Sequence, residues 1–168
     1  MSISSSAMAS SLLVQDEAGR YVPATADQIL TAARQVIDLK IQRGAAFTAP
    51  DVVKDYLGAK LAGFEHEVFA VLFLDNRHRL IEYVEMFRGT INSASVYPRE
   101  VVKEALRLNA AAVIFSHNHP SGDPEPSQAD RTLTRKLKDA LALIDVRTLD
   151  HIIVAGQARV SFAELGLL

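Results

Sequence analysis

The chain has 168 residues, 49% of them hydrophobic, and a formal net charge of −2, which suits one globular domain with a small extra arm and disfavours a protein that grips phosphates over a broad basic face. It contains no cysteine, so disulfides, thiol nucleophiles and cysteine-ligated zinc are excluded and any metal must rest on His, Asp, Glu and water. No apolar run reaches the roughly 20 residues a membrane helix needs, and the N-terminus lacks the basic start of a signal peptide, so a cytoplasmic protein with no membrane partner is expected.

Residues 1–23 are Ser-rich and weakly patterned and read as a flexible tail ending at Pro23. Residues 24–47 read as a helical arm: Ile29, Leu30, Ala33, Val36, Ile37 and Ile41 recur at helical spacing, and Gly44 stands just past them as a stop. From residue 48 onward the pattern is that of a single domain. "TAPDVVKDYLGAKLAG" predicts a short helix opening at Pro50, and "EVFAVLFLD" a strand buried on both faces. "NRH" makes a turn into a partner strand, "RLIEYVEMF". Pro98 opens a helix at a position where a missing N–H costs little, and "AAAVIFSH" is a third strand. Residues 127–144 form an amphipathic helix with Leu133, Leu137, Leu141 and Ile144 on one side, followed by the strand "VRTLDHIIVAG" and a closing segment. This order predicts an α/β (α+β) fold, a mixed β-sheet sandwiched between helices, with a helical crossover that makes part of the sheet parallel.

Two of the five histidines, His117 and His119, follow the third strand at positions i and i+2. Alternation along a strand points both imidazoles to one face, where they can share one metal ion. Pro120 and Gly122 then end the strand and leave the pair at its tip. Ser127 and Asp130 have the spacing of a helix N-cap and its reciprocal acidic residue, an arrangement that stabilises by roughly 1 kcal/mol. Helical side chains lean toward the N-terminus, so Asp130 also reaches back toward the histidine loop. Two His and one Asp suit Zn²⁺, one per chain, with a fourth position open for water. Binding lowers the pKa of that water from about 15.7 to about 7, or about 12 kcal/mol toward hydroxide. A hydrolase also needs a general acid/base near the metal but not on it. Glu67, at the start of the first buried strand, and Glu65, two residues earlier, are the candidates; an exposed strand-end Glu is the plainer reading of each.

These residues resemble the JAMM metalloprotease motif of MPN domains: a Glu on an early strand, His-x-His-Pro, seven residues between the second His and a Ser, and an Asp three further on. The matching positions are Glu67, His117, His119, Pro120, Ser127 and Asp130. "FRGTINSASVYPREVVKEALRLNAAAVIFSHNHPSGDP" and "LDHIIVAG" are similar to the bacterial RadC branch, and the resemblance covers roughly residues 48–168. It implies that His117, His119 and Asp130 bind zinc, that Glu67 rather than Glu65 is the acid/base, and that Ser127 steadies the oxyanion of a tetrahedral intermediate. It also implies a layout like that of cytidine deaminases. RadC proteins usually carry an N-terminal helix-hairpin-helix-like region, and the roughly 45 residues ahead of the domain show no glycine-hairpin signature of it.

The expected function is thus a zinc-dependent hydrolase, a metallopeptidase or isopeptidase acting on a peptide or isopeptide substrate through a metal-activated water. One alternative is a nucleic-acid protein of DNA repair or recombination, with "RTLTRKLK" (131–138) as its basic patch, although a solvated helix face explains that run as well. Another is a non-catalytic MPN interaction module, and a homo-oligomer is compatible with all three. HNH nucleases share "HNH" but need a ββα frame that this context lacks. His151 reads as a structural residue hydrogen-bonded beneath the site, or as support to a metal ligand. His66 and His78 read as exposed, Asp123 as a turn former, Ser121 as loop or turn chemistry, and Tyr97 and Arg99 as surface or capping residues.

Overall fold

The computed structural model describes residues 12–40, 44–47, 49–89 and 96–168. Residues 1–11 of the expected tail, and Ile41 of the expected helix face, lie outside the described residues. Along the chain come β1 (Leu13–Gln15), β2 (Tyr21–Pro23), α1 (Ala26–Lys40), α2 (Pro50–Leu61), β3 (Val68–Leu74) and β4 (Leu80–Arg88). They are followed by α3 (Pro98–Arg107), β5 (Ala112–Asn118), α4 (Gln128–Ala142), β6 (Arg147–Ala155) and β7 (Ala158–Ser161). Strands β4-β3-β5-β6-β7, in that order, make one mixed sheet. β5 and β6 are parallel, joined through α4, and the other neighbours are antiparallel.

The unbroken apolar run of β3 is explained by cover on both sides of the sheet. Val68, Ala70, Leu72 and Leu74 pack with Tyr56, Leu57 and Leu61 of α2. The alternate residues Phe69, Val71 and Phe73 pack with Val101 of α3 and with Leu137 and Leu141 of α4. The expected Leu133–Ile144 stripe of α4 is the stripe that meets this layer. The same parity runs through the neighbouring strands. Val113 and Phe115 of β5 face α3 and α4, whereas Ile114 faces α2, and Ile152 and Val154 of β6 face α2 as well. His117 and His151 therefore lie on the α4 side of the sheet.

α1 opens with a reciprocal cap, in which Gln28 N–H donates to Thr25 Oγ1 (3.2 Å) and Thr25 N–H donates to Gln28 Oε1 (2.9 Å). It packs beside α2 through the Lys60–Asp38 ion pair (2.9 Å), and Arg34 donates to the Ala62 carbonyl and lies over the Phe64 ring.

Two features differ from the sequence reading. Where only a tail was expected, β1 and β2 pair as an antiparallel hairpin. The Asp16 carboxylate accepts from the N–H groups of Ala18 and Arg20 (both 2.9 Å), and Gly19 supplies the positive φ of 79° that the turn requires. At the other end, the segment expected merely to close the chain adds β7 to the edge of the sheet. Among the described residues, no helix is long and apolar enough to cross a membrane.

Candidate metal centre

β5 carries His117 at its penultimate position, and His119 follows its end with its N–H bonded to the Val154 carbonyl of β6 (2.9 Å). The chain then turns, with Gly122 at φ 80° donating to the His119 carbonyl, and enters α4 through Ser127. Ser127 and Asp130 form the reciprocal cap expected from their spacing. Asp130 N–H donates to Ser127 Oγ (3.1 Å), and Ser127 N–H and Oγ–H both donate to Asp130 Oδ2 (2.8 and 2.7 Å).

With Oδ2 engaged by two donors, Asp130 Oδ1 faces His117 Nε2 at 3.3 Å; Oδ2 lies 3.5 Å from His119 Nε2, and the two Nε2 atoms are 2.9 Å apart. One ligand atom from each of His117, His119 and Asp130 lies within 4.8 Å of the others, so the three form a group that could hold a metal ion. Donors 2.0–2.1 Å from a tetrahedral zinc stand about 3.3 Å from one another, so the spacing found here fits such an ion. The donor chemistry fits it too: two imidazole nitrogens and a carboxylate converge at a half-buried spot.

Further contacts hold these three side chains from behind. His119 Nδ1–H donates to the Asp123 carbonyl (2.7 Å). His117 Nδ1 lies 2.8 Å from His151 Nε2, and His151 Nδ1 lies 2.6 Å from Thr134 Oγ1. The Thr134 hydroxyl is in turn 2.7 Å from the Asp130 carbonyl. Burial alone would raise the Asp130 carboxyl pKa, but its contacts with His117, His119 and Ser127 outweigh burial and hold it well below the usual carboxylate range. Contact with Asp130 raises the His119 pKa against the opposing effect of burial. Full burial holds His151 far below the usual imidazole value and thus neutral.

Glu67 immediately precedes β3 and is half-buried, whereas Glu65 is exposed. Burial raises the Glu67 pKa, and His117, Asp130 and His119 all act on it electrostatically, so its carboxyl lies within the field of the cluster. Its backbone is pinned on both sides. Gly89 N–H donates to the Glu67 carbonyl (2.8 Å), and Val68 N–H donates to Asn118 Oδ1 (2.8 Å), while Asn118 Nδ2 donates to the His66 carbonyl (3.0 Å).

Asn118 and Thr134 were not singled out from the sequence. Asn118 is the middle residue of "HNH", and its polar side chain inside a strand was the available signal; Thr134 at a core-facing position of α4 was another. Asp123 takes part in the turn as expected, and its carbonyl also orients His119. His66 departs from the expectation of exposure: it is half-buried against Phe64, with its Nε2 buried and unpaired. The basic run lies along α4, where Arg131, Arg135 and Lys138 line a cleft of about 470 Å³ with Gln128 and residues 166–168.

A UPF0758 protein of Vibrio cholerae is 62% identical over 141 residues, covering 84% of this chain and 89% of its own length. A second from that organism is 58% identical over 142 residues, with 84% and 90% covered. A UPF0758 protein of Methylibium petroleiphilum is 60% identical over 140 residues, 83% of this chain but 63% of that longer relative. The family model of the RadC-like JAB domain matches residues 47–167, the span that holds the whole sheet and the His-His-Asp cluster, and the chain belongs to that family.

Proposed function

We propose that this protein is a zinc-dependent hydrolase, a metallopeptidase or isopeptidase, whose substrate is a peptide or isopeptide bond. The observation that carries the reading is the convergence of His117 Nε2, His119 Nε2 and Asp130 Oδ1 on one point within the field of a half-buried carboxyl, Glu67. Those three atoms would hold the ion. A bound zinc supplies Lewis acidity that brings the pKa of a water to about 7. Glu67 accepts the proton of the attacking water and passes it to the leaving amine nitrogen, a role that suits a carboxyl whose pKa is raised by burial. Ser127 stands at the N-cap of α4 with its hydroxyl proton on Asp130 Oδ2; turned from there to the scissile carbonyl oxygen, that one proton would steady the negative charge developing on it. A non-catalytic interaction module would have no use for the full set of acid/base and ligand residues.

The test is metal analysis of the purified protein together with turnover of fluorogenic peptide and isopeptide-linked substrates. The expected result is about one zinc per chain, with Glu67→Gln retaining that zinc and losing about 10²- to 10⁴-fold in rate. Failure to take up zinc on titration overturns the reading.

A second reading, contact with nucleic acid, has one observation in its favour. Among the described residues, Arg131, Arg135, Lys136 and Lys138 of α4 form no ion pair.

A further inference from the structure

We propose that Thr134 and His151 are positioning residues that lock His117 as its Nδ1–H tautomer and so aim the Nε2 lone pair of His117 at the candidate ion; this rests on the zinc-site reading above. The argument follows the protons. Thr134 Oγ1 lies 2.7 Å from the Asp130 carbonyl and 2.6 Å from His151 Nδ1. A carbonyl only accepts, so the single hydroxyl proton of Thr134 goes to Asp130. The contact with His151 then needs its proton on Nδ1, which leaves His151 Nε2 as an acceptor. Across 2.8 Å from that acceptor stands His117 Nδ1, which must carry the donated proton. One assignment satisfies every contact from Asp130 to His117, and it leaves His117 Nε2 bare, facing the bare Nε2 of His119 2.9 Å away, as two donors to one ion would be. Reversing any bond sets two lone pairs or two protons against each other inside the protein, where each unsatisfied group costs free energy.

The surroundings keep this chain of bonds in place. His151 is fully buried and Thr134 nearly so. The His151 ring stacks on Phe162 (centroids 4.7 Å apart) and meets Phe69 and Phe115 edge-on (5.7 and 5.8 Å), so ring rotation that would exchange its nitrogens is opposed by packing. The bonds begin at the carbonyl of Asp130 and end at His117. They therefore tie two candidate ligands from different elements, α4 and β5, through a third element, β6. If the Thr134 acceptor were lost, His151 could move its proton to Nε2. His117 would then have to accept at Nδ1 and protonate Nε2, the atom that faces the site.

The experiment has two arms. Long-range ¹H–¹⁵N spectra of the zinc-free wild-type protein at alkaline pH read the tautomers directly. Protonated Nδ1 and bare Nε2 are expected on both His117 and His151, and an Nε2–H form of either overturns the proposal. Zinc affinity, measured by competition with a chromophoric chelator, forms the second arm. Thr134→Val keeps shape but removes the hydroxyl and is expected to weaken binding about 10- to 100-fold, whereas Thr134→Ser, which restores it, stays within about threefold of wild type. A Val variant that binds as tightly as wild type overturns the proposal. Should Thr134→Val fail to fold, the wild-type spectra still decide. A wild-type protein with the expected tautomers but no zinc uptake retires the metal reading and leaves the tautomer lock standing.

Discussion

Asn118 shows how one side chain can set the geometry of a site without entering it. It points to the α2 side of the sheet, away from the candidate metal ligands that flank it in sequence. There its amide spans the chain just ahead of β3, accepting from Val68 N–H and donating to the His66 carbonyl, and the residue is 4% exposed. Glu67 lies between those two bonded residues, so its backbone has little freedom. Asn118→Ala would leave a buried N–H and a carbonyl without partners, a loss of about 1–3 kcal/mol. The expected outcome is a lower urea midpoint with unchanged m-value. Zinc content should be unaltered, because His117, His119 and Asp130 are untouched, whereas turnover should fall as Glu67 loses its fixed position. A variant that loses zinc in proportion to activity would place Asn118 with the ligands instead.

At the scale of elements, the start of α4 serves two purposes that can be separated. Ser127 caps the helix and also donates its hydroxyl proton to Asp130 Oδ2. Ser127→Ala is expected to lower stability by about 1 kcal/mol, but Ser127→Gly by only a few tenths, since glycine is a tolerable N-cap. If the hydroxyl acts on the reaction, both variants lose about 10²- to 10³-fold in kcat despite their different stabilities. Rates that follow melting temperature would assign Ser127 to the cap alone. This part of the molecule was legible in the sequence because cap spacing and strand parity are local rules. The i, i+2 histidines and the Ser-x-x-Asp spacing depend on strand and helix periods, and β3 announces itself by an unbroken apolar run. The hairpin β1–β2 was not legible by periodicity, because three-residue strands with mostly exposed side chains give no pattern to count. Its available signal was turn chemistry. Asp16-x-x-Gly19-Arg20 repeats the logic of Asp75-x-x-His78-Arg79 between β3 and β4, where the Asp carboxylate again accepts from the N–H groups at i+2 and i+4 and the residue at i+3 has positive φ. His151 was legible as a residue hydrogen-bonded beneath the site, but its partners were not, nor were those of Asn118: the bonds Asn118–Val68, His151–His117 and Thr134–His151 join residues 50, 34 and 17 positions apart, and such pairing exists only once the sheet is assembled.

For the whole molecule, charge decides how far the nucleic-acid reading can go. Acidic side chains outnumber basic ones, 20 to 18, so no long-range field draws a polyanion to the protein. Many cations are neutralised locally: Arg20, Arg79, Arg88 and Arg107 each meet a carboxylate three or four residues away. Among the described residues, α4 groups four cations outside any ion pair, Arg131, Arg135, Lys136 and Lys138, whereas Arg34, Arg77, Arg147 and Arg159, also outside one, are scattered; Asp139 stands with Arg131, Arg135 and Lys138 on the cleft. Counterion release scales with the number of phosphates neutralised, at about 0.9 per contact for duplex DNA. Four cations therefore bound the slope of log affinity against log salt at about −3.6, and Arg135→Ala with Lys138→Ala should bring it to about −1.8. Mobility-shift titrations at several salt concentrations measure both values. A slope steeper than the bound would mean that residues beyond α4 contact the duplex. Absence of any shift at micromolar protein and low salt would leave the α4 cations as a solvated face and retire the nucleic-acid reading, with the hydrolase reading unaffected, because none of the four is a ligand or the proposed acid/base.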